Sequence, residues 1–137
     1  MLSTVILMAS CNVGPQPIEF GEDGCHYCTM TIVDRLHASE LVTSKGKVYK
    51  FDAIECMINY MKDHANTAYK HAVISDFNEP GVLVDAKNAT YLISKEISSP
   101  MGAYLSGFEK NEAAKKTQAE YGGTLFSWNE LFEHLNK

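Results

Sequence analysis

Cys25-His26-Tyr27-Cys28-Thr29-Met30 places two thiols and a thioether within one short stretch. Soft sulfur donors select soft metals, Cu(I) above all, with Zn(II) or iron–sulfur clusters favoured where thiolates dominate. A zinc centre usually needs four ligands supplied as Cys or His pairs, and the chain has no second Cys-x-x-Cys. Covalent haem attachment needs His directly after the second cysteine, where Thr29 stands. A plain Cys25–Cys28 disulfide would leave Met30 unused. Cu(I) takes few ligands and prefers sulfur. The β-branched run Thr29 to Val33 predicts a strand, on which Cys28 and Met30, two apart, face the same side. Both sulfurs then reach one ion, and a third soft donor completes the site. Two other readings stay open: a thiol–disulfide oxidoreductase using Cys25 and Cys28, and a lipoprotein that only docks on a membrane complex.

The remaining donors differ in character. Met57 and Met61 fall on a helical apolar stripe and read as core filler. Met101 sits in a Ser-Pro-Met-Gly loop, where a large apolar side chain has no periodic reason to be, so it is a ligand candidate, with a buried loop anchor as the alternative. Cys56 lies off the stripe of the same helix; a buried small hydrophobe is the default and a ligand the alternative. His26 could ligate, but a solvated loop residue is its default. His37, His64, His71 and His134 show no ligand spacing.

Residues 1–11 read as a lipoprotein signal, an apolar stretch ending in Ala9-Ser10 before a lipid-accepting Cys11. Residues 12–24 read as a tether. Of the four cysteines, three thiols then remain. An odd number does not close a disulfide framework, and a free thiol outside the cytoplasm is exposed to oxidation unless it has a task. The chain is therefore expected on the periplasmic side of a bacterial membrane, held by its lipid. Net charge is −5 over 137 residues, and no basic cluster exceeds Lys115-Lys116. That excludes a nucleic-acid partner, which needs a basic face.

Elements that could position these donors follow from pattern. His37 to Thr43 and Val48 to Phe51 form a hairpin across Ser44–Lys47. Asp52 reads as an N-cap with Glu55 three residues on, a capping box. Ile54, Met57, Ile58 and Met61 then give an amphipathic helix. Ala72 to Phe77 is a strand, and Val82–Val84 with Thr90–Ile93 reads as a second hairpin. Glu109 to Glu120 is polar and helix-prone, a solvated helix or a mobile connector. Phe126-Ser127-Trp128-Asn129-Glu130 repeats the frame of Phe51-Asp52-Ala53-Ile54-Glu55 and leads into a last helix through Leu131, Phe132 and Leu135. The repeat suggests a duplicated αβ unit, over 25–78 and 79–137. Neither half is large enough to bury a good core alone, so the two must pack together.

These residues resemble the NosL family, accessory lipoproteins of nitrous-oxide reductase. The resemblance rests on the lipobox and Cys11, Cys25-x-x-Cys28-x-Met30, Phe51-Asp-Ala-Ile-Glu-Cys56-Met, and Ser99-Pro-Met-Gly102. It implies an α+β fold of two tandem ββαβ-type units, similar to part of organomercurial lyase. It implies a membrane-tethered Cu(I) chaperone, not an enzyme, that delivers copper for the reductase's copper–sulfide cluster. The implied partners are the reductase and its membrane-bound maturation complex. Carried over by position, Cys28, Met30 and Met101 are the copper-ligand candidates, with Cys25 beside them. Many members carry Gly where Thr29 stands.

Overall fold

The computed structural model describes residues 14–136. The lipobox and Cys11 lie outside the described residues. Seven strands and three helices follow in the order β1 (Ser39–Thr43), β2 (Val48–Phe51), α1 (Ile54–Asp63), β3 (Tyr69–Asp76), β4 (Glu79–Asp85), β5 (Thr90–Ile93), β6 (Leu105–Phe108), α2 (Asn111–Tyr121), β7 (Thr124–Phe126) and α3 (Trp128–His134). The fold class is α+β.

One sheet has the order β2-β1-β3-β4 and the other β6-β5-β7. Every pairing is antiparallel. A ββαβ unit with one strand order therefore occurs twice, as β2-β1-β3 with α1 between β2 and β3, and as β6-β5-β7 with α2 between β6 and β7. The sequence echo follows a different correspondence. It matches the β2–α1 junction to the β7–α3 junction, whereas α2 is the topological counterpart of α1.

Val82–Val84 and Thr90–Ile93 do not form a hairpin. β4 pairs with β3, and β5 pairs with β6 and β7. The first sheet accordingly runs on to Asp85, past the 25–78 span. A single 3-10 turn, Ala86–Asn88, carries the chain from one sheet to the other. Segment 16–24 is also docked onto the body: Ile18 is buried, and Gln16 N–H donates to the Glu40 carboxylate at 2.6 Å.

The halves share one core. Leu41, Phe51, Ile54, Met57, Ile58 and Ile74 from the first pack with Tyr91, Leu105 and Leu131 from the second, all without solvent exposure. Side chains alternate across a strand, so β5 and β6 serve two cores. Tyr91 and Leu105 face the shared one, while Leu92 and Phe108 pack with Ala114 of α2 on the other face. Most of the polar Glu109–Glu120 segment is thus an ordered helix, seated by buried Ala114 with half-buried Ala113 beside it. Close approach at the seam requires Gly107, where an added Cβ would lie 2.2 Å from Ile74 Cδ1. There Phe77 N–H donates to the Gly107 carbonyl at 2.8 Å and joins the two sheets.

Candidate metal centre

Residues 21–32 form a narrow knuckle in place of the expected Thr29–Val33 strand. Gly24 and Thr31 make an isolated antiparallel bridge. Gly21 N–H donates to the Ile32 carbonyl and Ile32 N–H to the Asp23 carbonyl, each at 2.8 Å. Nearer the tip, Cys25 N–H donates to the Met30 carbonyl at 2.8 Å and Thr29 N–H to the Cys25 carbonyl at 3.0 Å. This last turn takes Thr29 into the left-handed region at φ 68°, where a β-branched residue is an outlier. The same-side argument for Cys28 and Met30 therefore loses its premise, because residues 28–30 are not a strand.

Lys50 of β2 fixes the knuckle to the sheet. Its ammonium binds the Asp23 carboxylate at 2.7 Å and the Pro17 carbonyl at 2.9 Å, and this holds the Asp23 carboxyl below its ordinary range. Its backbone N–H donates to His26 Nδ1 at 3.1 Å, and its carbonyl accepts from His26 N–H at 2.9 Å. His26 thus pairs with the sheet edge, its ring set edge-on against Tyr49.

The tip brings Cys25 and Cys28 onto the start of α1, where Cys56 occupies the first turn. The three sulfurs all lie within 4.8 Å of one another. Cys25 is 3% exposed and Cys56 1%, while Cys28 is half-buried and the most open of the three. Cys56 thus turns out to sit beside the Cys-x-x-Cys pair; a cysteine in the first turn of a helix, off the apolar stripe, is the only sequence sign of this. Met30 and Met101 are 56% and 41% exposed. Ala103, two residues beyond Met101, packs against the same core as the cysteines.

The electrostatics of the cluster are uneven. The Cys56 thiol donates to the Cys25 sulfur, and backbone N–H groups of Asp52, Cys28 and Tyr27 also point at it, which together pull the Cys25 thiol down to about 4. Acting as that donor, and buried, Cys56 is pushed far up. Burial also raises Cys28. Of the three thiols Cys25 is thus the most readily ionised, its sulfur meeting the Asp52 N–H just ahead of α1 and the Cys28 N–H at 3.5 Å.

The expected capping box at this helix is not formed. Ala53 is the N-cap of α1 and offers no side-chain bond. Asp52 and Glu55 are buried instead; Asp52 Oδ1 and both Glu55 carboxylate oxygens have no hydrogen-bond partner. Burial raises both carboxyls above their ordinary range.

A second polar group spans the halves: His37 Nδ1 meets Asp34 at 2.9 Å and Nε2 meets Ser106 Oγ at 3.1 Å. The constellation has the residue types of a hydrolase triad. Ser106 is fully buried, however, so no substrate reaches it, and the bonds serve to join β6 to the first sheet.

Chemically, three sulfurs at this spacing can hold one thiophilic cation. Residues 17–135 match the family model for NosL. Over 129 residues the chain is 26% identical to the copper-binding lipoprotein NosL of Stutzerimonas stutzeri, covering 88% of this chain and 68% of that protein. The crystal structure of the copper chaperone NosL from Shewanella denitrificans has the same fold, with a TM-score of 0.75 at 22% identity over 87% of this chain and 96% of that one. With nearly the whole of its length accounted for by that model, the chain belongs to the NosL family.

Proposed function

We propose that this protein is a Cu(I) metallochaperone, lipid-anchored through Cys11 on the periplasmic side of a bacterial membrane. It delivers copper for maturation of nitrous-oxide reductase, to the reductase and its membrane-bound maturation complex. One observation carries the reading: in a chain of this family, three cysteine sulfurs converge within 4.8 Å and only Cys28 is left partly open to solvent. Cargo must be denied to water yet handed on. Soft sulfur gives the affinity, and one accessible sulfur gives the exit. Cys28 with the exposed thioethers Met30 and Met101 is the surface ligand set from which copper leaves.

Burial counts against the dithiol oxidoreductase alternative. An attacking thiolate must be reachable, and the sulfur with thiolate character, Cys25, is 3% exposed.

The test is an anaerobic titration of the full chain in detergent with Cu(I), and separately with Zn(II), against a competing chelator. Stoichiometric Cu(I) binding, strongly preferred over Zn(II) and lost in Cys28→Ser, is the expected result. Unchanged Cu(I) affinity in Cys28→Ser overturns the assignment.

A further inference from the structure

The buried cluster and the exposed thioethers cannot be one ligand set for an ion of low coordination number, because together they offer five sulfurs. Cys25 and Cys56 are almost fully enclosed, whereas Met30 and Met101 are open to solvent. Cys28, half-buried, is the cluster sulfur most open to solvent. We propose that Cys25, Cys28 and Cys56 form a second, inner cargo position, a buried three-thiolate seat for Cu(I), and that copper passes between it and the surface set by pivoting on Cys28. This rests on the copper reading above and adds to it a holding state.

Three observations support the inner position. A trigonal ion with metal–sulfur bonds of about 2.3 Å keeps its sulfurs roughly 4 Å apart. The cluster, with all pairs within 4.8 Å, needs only small side-chain adjustment to reach that spacing. Its members also come from two independently held elements. Cys25 and Cys28 sit on a knuckle clamped by Lys50, and Cys56 sits on the first turn of α1. Finally, a monovalent ion with three thiolates is an anion, and α1 begins without a side-chain cap. Free N–H groups at a helix start favour negative charge there.

Inward movement is ligand exchange. Bonds from copper to Met30 and Met101 sulfur break while bonds to Cys25 and Cys56 sulfur form. The bond to Cys28 persists. Any coordinating thiol that carries a proton releases it to water, and copper remains Cu(I) throughout, with no electron moved. Delivery reverses the exchange.

The experiment compares Cys56→Ser, Cys25→Ser and the double variant Met30→Leu/Met101→Leu with the unmodified full chain in detergent. Cu(I) is titrated anaerobically against a chelator, and the ultraviolet thiolate-to-copper charge-transfer band is followed. Either serine variant should lose about tenfold or more in Cu(I) affinity and a clear share of the band. The methionine double variant should keep the band and release copper to the chelator more slowly. Proton release is measured on the unmodified protein, so that a serine variant which fails to fold leaves the question decidable. The inner seat requires more than one proton per Cu(I), and a single proton overturns it. Full affinity and full band intensity in both serine variants also overturn it. If Cys28→Ser abolishes binding while those two variants bind normally, the inner seat falls and the chaperone reading stands; if Cys28→Ser binds normally, both fall.

Discussion

Two strand-to-helix junctions in this molecule share a sequence frame and use it in opposite ways. At the second, Ser127 Oγ accepts from Glu130 N–H at 3.3 Å, and the Glu130 carboxylate accepts from Ser127 N–H at 3.0 Å. These bonds hold the Glu130 carboxyl below its ordinary range, and α3 starts with a complete capping box. At the first, Asp52 and Glu55 occupy the same positions but make neither bond; both are buried with unpartnered oxygens. The start of α1 faces the Cys25 sulfur instead, which reaches it from a knuckle far back in the chain. A helix that caps itself locally is closed to other anions. One left uncapped can accept an anion brought by the tertiary fold, and the Cys25 sulfur, whose thiol is held below its ordinary range, lies beside this one.

The largest expected effect on this contrast comes from removing the sulfur. Cys25→Ala should cost the metal-free protein about 1–3 kcal/mol near neutral pH, the range for stranding buried donors. Its pH signature is the sharper test. Its hydrogen-bond donors hold the Cys25 thiol well below its ordinary value of 9.0 in the folded protein. A lowered acid contributes stability that is complete above its unfolded value and is lost as pH falls toward the folded one. Urea unfolding of the reduced, metal-free protein should therefore show stability declining from pH 9 toward pH 4, with a shallower decline in Cys25→Ala. An unchanged slope in the variant would mean that the sulfur does not serve α1.

Ser127→Ala makes the complementary cut. Loss of an N-cap serine costs about 1 kcal/mol, read by urea unfolding, while Cu(I) affinity should stay at its original value. A fall in affinity would show the two junctions to be energetically linked.

The capping frames also show what the sequence could disclose. Hairpin β1–β2, the stripe of α1 and the start of α3 were readable because each is a local pattern of alternation, helical period or capping. A duplicated αβ unit was the expectation from the repeated frame, with its ββαβ form implied by the family resemblance, yet the residues that suggested the repeat match α1 to α3 where the fold matches α1 to α2. Pairing of β4 with β3 rather than β5 depends on which sheet covers the shared core, and no short window records that. At the site, Cys-x-x-Cys-x-Met was visible as a spacing. The approach of Cys56 was not, since it depends on the knuckle docking on Lys50 and the start of α1. Asp52 and Glu55 misled for the same reason: capping chemistry at the surface and buried carboxyls beside thiols use one sequence, and burial separates them.

Asp52→Asn tests that burial. A raised carboxyl binds its proton more tightly in the folded state, so its contribution falls as pH rises from the ordinary value of 3.8 through the folded one. The amide has no charge to desolvate. Relative to the original protein the variant should gain with rising pH over that window, by about 1 kcal/mol or less. A variant that instead loses stability as pH rises would mean that Asp52 is held charged by a favourable partner.

The smallest effect concerns the knuckle itself. Thr29 adopts φ 68°, and a left-handed backbone costs a residue with a Cβ about 1–2 kcal/mol. Glycine would remove that strain but loses about 0.5–1 kcal/mol more conformational entropy on folding. The two terms nearly cancel, so Thr29→Gly should stabilise the metal-free protein by only about 0.5 kcal/mol, measured by urea unfolding. Cu(I) affinity should move less than about twofold, because the hydrogen bond from Cys25 N–H to the Met30 carbonyl and the Lys50 clamp hold the knuckle without help from Thr29. A large gain in affinity with the same small gain in stability would instead show that the threonine holds the sulfurs out of register. The uncapped start of α1 would then be waiting for a better-placed anion than the metal-free knuckle supplies.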